Sequence, residues 1–61
     1  MSNMLTTKEA TLIHDLLIYE ESACKKARLY ARTMTDKKLS EALNKLADCH
    51  EKRFNQLFNL L

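Results

Sequence analysis

Glu20 and His50 are the residues whose types and placement could do chemistry in this 61-residue chain. Each sits at the centre of a stripe that is otherwise apolar. A carboxylate or an imidazole in such a stripe needs a partner opposite it or a bound ligand, because a polar group taken out of water unpaired is costly. Two purposes suit the pair. With Arg53 one turn beyond His50, the three residues Glu20, His50 and Arg53 would form a salt-bridged polar core. Doubled by a second chain, two Glu20 and two His50 would make a mononuclear metal site. A shifted register that leaves Glu20 at a solvated edge is the remaining alternative.

Catalysis finds no support in the rest of the sequence, and the chain reads as a non-enzyme without a resident cofactor. Neither Cys24 nor Cys49 has a His and an acid placed as a nucleophile's base and orienter, and a chain without glycine has no Gly-rich phosphate loop. The two thiols read as small apolar residues of a reducing compartment, Cys24 on a buried face and Cys49 at the flank of one. His14 falls beside the apolar stripe and reads as a surface histidine.

Helices must position the central pair. Glycine and proline are both absent, so caps and periodicity alone mark boundaries. Thr6 followed by Glu9 is a capping box, which starts a helix near Thr7. From there Ile13, Leu16, Leu17, Ala23, Cys24, Ala27, Ala31 and Met34 recur mostly at steps of three and four around Glu20. Thr33, Thr35 and Asp36 cap helices well and interrupt this pattern, which places the turn at about 34–36. A second helix is expected from about 36 to 60, with Leu39, Leu43, Leu46, Phe54, Leu57 and Leu61 on its buried face and His50 at its midpoint. Its far side carries Glu41 before Lys45 and Asp48 before Lys52, two acid-before-base pairs at a spacing of four.

Folding the chain back at the turn makes an antiparallel hairpin in which facing residue numbers sum to about 70. Glu20 and His50 then lie at one height, Ala27 faces Leu43, and residues 13–17 meet Phe54, Leu57 and Phe58. The fold class is all-α, a single hairpin domain over residues 1–61. So short a chain buries little apolar surface alone. Leu12, Ile13, Leu16, Tyr19, Ala23, Tyr30, Leu46, Phe54 and Leu57 are the expected interface of a dimer in which two hairpins form a four-helix bundle. On the back of the first helix Ile18 and Leu29 form a line opposite Glu20, either isolated exposed residues or a secondary contact strip.

Charge and hydropathy exclude several partners. A net charge of +2 is far from the excess of a nucleic-acid-binding domain. Lys25, Lys26, Arg28, Arg32, Lys37 and Lys38 crowd the middle against Asp36 and read as a solvated helix end and turn, an anionic partner being the alternative. No stretch approaches the roughly 20 apolar residues of a membrane span, and no signal-peptide pattern opens the chain, so a cytosolic location is expected.

The pattern Glu20, Ala23, Tyr30 and Ala31 resembles the first helix of ferritin-like and rubrerythrin-like bundles, and Leu46 to Phe54 resembles their second, with its Glu-x-x-His. Over Leu5 to Leu61 the chain resembles the helical-hairpin repeat of the spore coat protein F family. Its members open with Leu-Thr, continue with a Leu-Leu-x-Tyr-Glu-like segment and close with Leu-Ala before Glu-x-x-His. The resemblance implies a structural or adaptor role by self-association, with other spore coat proteins as partners and incorporation into the coat. It also implies metal ligands, but aligned on Leu46 and Ala47 the family's Glu falls on His50 and its His on Arg53. Arginine cannot ligate a metal at neutral pH, so an oxygen-activating di-iron site is not expected. Ser40 to Leu46 is similar in outline to the signature helix of small phosphatases acting on sporulation response regulators. There the Asp those proteins need falls on Asn44, which leaves a regulator of phosphosignalling as the second alternative.

Overall fold

The computed structural model describes residues 4–61; Met1 to Asn3, which the single-domain expectation includes, lie outside the described residues. Helix α1 spans Thr7–Thr33 and helix α2 spans Lys37–Phe58. The Thr6 hydroxyl accepts from the Glu9 amide and the Glu9 carboxylate accepts from the Thr6 amide, both at 3.0 Å. This satisfies two amides that a helix start leaves open. Met34 and Asp36 are extended, and the Asp36 carboxylate caps α2 by accepting from the Leu39 amide at 3.0 Å. The turn thus needs no glycine, because none of its residues takes a positive φ.

The two helices pack against each other as an all-α hairpin. Leu17, Glu20, Ala27 and Ala31 of α1 and Ala47 and His50 of α2 are buried. Most are small or polar, and among the described residues no large side chain is fully buried. Ser40 ties the turn end together, its hydroxyl donating to the Ala31 carbonyl at 2.8 Å. No helix of the described residues is long and apolar enough to cross a membrane.

Two expectations about the stripes are corrected. The seam of α2 runs through Leu43, Ala47, His50, Phe54 and Leu57, with Ala47 wholly enclosed, while Leu39, Leu46 and Leu61 are exposed. Hydrophobic bulk drew attention to the leucines, but at close approach the smallest residue takes the centre. On α1, Leu16 and Met34 are likewise exposed, and Met34 is the C-cap. The second helix also ends at Phe58, where Leu60 and Leu61 turn off it through amides bonded to the Leu57 and Phe58 carbonyls.

Candidate polar centre and the two faces of the hairpin

Glu20 and His50 face each other at the midpoint of the seam. His50 Nδ1 donates to Glu20 Oε1 at 2.5 Å, and both residues are more than nine-tenths buried, at 6% and 8% exposure. A carboxylate only accepts, so the contact places the imidazole proton on Nδ1. Tyr19 stands edge-on to the imidazole, with ring centroids 6.3 Å apart. Arg53 completes the group at longer range, its guanidinium 3.7 Å from Glu20 Oε2.

The sides of the hairpin flanking this seam differ in chemistry. A helix turns about 100° per residue, so residues either side of Glu20 fan out to opposite flanks. One flank is closed by charge: Arg28 donates to Asp48 at 2.8 Å and to Glu51 at 3.0 Å. Those two carboxylates, Asp48 first, hold the guanidinium pKa above the usual arginine range. A shallow groove on this side is lined by Glu20 itself with Glu21, Cys24, Lys25, Glu51, Phe54 and Asn55. The other flank is open and apolar. Leu12, Leu16, Tyr19, Tyr30, Leu39 and Leu46 are exposed there, beside a groove that runs from Leu16 past Glu20 and Arg53 to Leu57 and Leu60.

This division sorts the residues expected at a dimer interface. Leu12, Leu16, Tyr19, Ala23, Tyr30 and Leu46 share the open flank, and the half-buried Ile13 and Leu57 border it along the seam. Phe54 does not join them. It lines the charged-side groove and stacks on the exposed Phe58, with centroids 6.2 Å apart.

The Arg28 bridge is the feature that sequence reasoning missed. The basic run places Arg28 at a solvated helix end, and a spacing of four pairs Asp48 with Lys52 on its own helix. Instead Asp48 reaches across to α1, and among the described residues the one same-helix ion pair at a spacing of four is Glu21 with Lys25, at 3.6 Å. The available signal was an arginine at one flank of α1 with two acids on the matching flank of α2.

Among the described residues no group of three or more His, Cys, Asp and Glu side chains is placed to hold an ion. Glu20 and His50 spend their facing atoms on each other, and Arg53 brings a cation to the carboxylate's second oxygen. Both cysteines are free, Cys24 half-buried and Cys49 exposed. His14 is exposed, as are Ile18 and Leu29 on the back of α1. In the segment similar to the phosphatase signature, Glu41 and Asn44 are exposed, while Ser40 is engaged in the Ala31 bond. Compared with known proteins, the chain matches no family model, no curated protein and no solved structure.

Proposed function

We propose that this chain is a non-enzymatic structural or adaptor module that works by self-association, two hairpins stacking their open flanks into a four-helix bundle. The observation that carries the reading is the contrast between the flanks. Arg28, Asp48 and Glu51 close one side with charge, while the other side leaves leucines and tyrosines in water. A stable domain needs a second layer over such a face.

The dimensions support a missing layer of about one more hairpin. The Cα trace measures 46 × 15 × 9 Å, the thickness of one helix layer, with a radius of gyration of 14.3 Å. A compact domain of this length would have a radius of about 10.5 Å. The accessible surface is 4920 Å², against about 4,100 Å² for a folded monomer of this mass.

The resemblance to spore coat protein F gives the reading its biological setting, a coat or coat-associated layer in a spore-forming bacterium with other coat proteins as partners. The test has two parts. Sedimentation equilibrium should give a dimer or a multiple of it, and Leu16→Lys combined with Tyr19→Lys should return it to monomer. Fractionation of sporulating cells should then place the protein with the coat; recovery only from the mother-cell cytosol would remove that setting.

A further inference from the structure

The two oxygens of Glu20 are served unequally. Oε1 accepts from His50 at 2.5 Å, whereas Oε2 has the Arg53 guanidinium at 3.7 Å, beyond hydrogen-bond reach. No buried side-chain oxygen or nitrogen among the described residues lacks a hydrogen bond, so Oε2 is not sealed; Glu20 lines the grooves on both flanks, and the Arg53 that approaches Oε2 lines the one on the apolar flank. Arg53 lines the same groove with its side chain 55% exposed. On the opposite flank Arg28 makes two short bonds to carboxylates, so the hairpin saturates one arginine and leaves the other unsaturated.

We infer that Glu20 is completed by a second copy of the chain, the partner's Arg53 supplying the hydrogen bonds that Oε2 lacks; this rests on the self-association proposed above. Symmetry makes the inference specific. Two open flanks can be stacked by a twofold axis parallel to the helices, which lays α1 on the partner's α2, or by one across the helices, which lays each helix on its own counterpart. Rotation about the parallel axis leaves every residue at its own height. Arg53 lies three residues from His50, about 4.5 Å along the axis, and His50 is level with Glu20. The partner's Arg53 therefore stands beside Glu20 within the reach of its side chain.

The crosswise axis gives no such match. Arg53 would then oppose the partner's α2 near Ala47, where the open flank offers no carboxylate, because Asp48 and Glu51 are turned to Arg28 on the other side. A guanidinium covered there keeps only its long 3.7 Å contact with its own Glu20 and gains no new acceptor, which is unfavourable. Charge complementarity thus selects the parallel axis, and the acid and base at the centre of the apolar flank become the pair that fixes how two copies meet.

Mixing variants of the full chain tests this. Glu20→Gln and Arg53→Met homodimers each carry two broken pairs. If the pair crosses the interface, their heterodimer has one complete pair and one site with neither charge, and native mass spectrometry should show the square of the heterodimer amount, divided by the product of the two homodimer amounts, at least about tenfold above its statistical value. If the pair lies within a chain, the mixture stays statistical, and the inference is overturned. Should either variant fail to fold alone, recovery of helicity on mixing supports the inference and no recovery overturns it. A second measurement leaves the charges intact. In a Cys24→Ser, Cys49→Ser background, spin labels on Thr35→Cys at the turn should lie within about two helix diameters, roughly 20 Å, across the parallel axis. A separation approaching the 46 Å length of the hairpin would overturn it. A wild-type chain that remains monomeric in sedimentation shows no dipolar coupling at all, and removes the self-association reading rather than the choice of axis.

Discussion

His50 donates to Glu20 at the midpoint of a seam whose other enclosed residues are mainly alanines, and this one hydrogen bond occupies the place a leucine pair would take in an ordinary hairpin. The helices are held close by small residues and joined by a buried polar contact, so the hairpin has little apolar core of its own. Its leucines and tyrosines remain outside, on the flank opposite the Arg28 bridge. Weak internal packing and a strong external apolar face have the same cause.

Removing Glu20 strands His50 and Arg53 in partly enclosed surroundings. Breaking a buried pair by deleting one partner typically costs about 3 to 5 kcal/mol, whereas replacing the whole group with apolar residues is often neutral. Glu20→Ala should lower the denaturant midpoint strongly, and Glu20→Leu with His50→Leu and Arg53→Met should restore it. An unchanged midpoint in Glu20→Ala would mean that the carboxylate carries no structural weight.

Folding and association should be coupled. If two hairpins associate as proposed, covering the open flank adds stability to a chain with so little enclosed apolar surface, and binding of a partner to the folded state raises stability with concentration. Helicity and melting temperature should therefore rise with protein concentration. A hairpin that stays fully folded at sub-micromolar concentration would contradict this.

Much of the hairpin was legible because its signals are local. The Thr6 and Glu9 box, the Asp36 cap and the numerical pairing of Glu20 with His50 each follow from spacing along the chain. What was not legible depends on how far each helix is rotated about its axis. Ala47 displaced Leu39 and Leu46 from the seam because close approach rewards small size, and hydrophobic bulk points the other way. The same rotation turned Phe54 to the charged flank and brought Asp48 and Glu51 within reach of Arg28. Same-helix ion pairs can be counted at a spacing of four, but a pair between helices requires both rotations to be known.

A strong chelator should leave the unfolding midpoint unchanged. Glu20 and His50 bond to each other, and the Arg53 cation sits at the carboxylate oxygen a metal would need. A fall in the midpoint on adding chelator, reversed by a divalent cation, would replace the salt-bridged centre with a metal centre assembled from two chains.

The Arg28 bridge should respond to salt more than the Glu20 centre does. Arg28, Asp48 and Glu51 are in contact with solvent, where ions screen their attraction, whereas Glu20 and His50 are enclosed. Arg28→Ala should cause a small loss of stability at low ionic strength that disappears in molar salt. Its pKa is raised by the two carboxylates, so the Arg28 contribution is fully present below arginine's usual range and is lost only as pH rises above it. An Arg28→Ala effect that persists in molar salt would show that its packing, not its charge, holds the flank closed.

Ala47 sets how close the helices come, and enlarging it should be worse than removing a cap. Asp36→Ala deletes one accepted amide at the start of α2, a loss of roughly 0.5 to 2 kcal/mol for an N-cap of this type. Ala47 is wholly enclosed, one turn from His50, so a larger side chain there must displace its neighbours. Ala47→Leu should force the helices apart at a cost of about 1 to 3 kcal/mol. Because the Glu20 to His50 bond spans the same seam, it should also lengthen. The imidazole Nδ1–H proton, shifted far downfield by a short bond to a carboxylate, should move upfield or exchange away in this variant, while Asp36→Ala leaves it in place. If Ala47→Leu preserves that resonance, the helices meet without needing a small residue at position 47, and close approach is not what positions the central pair.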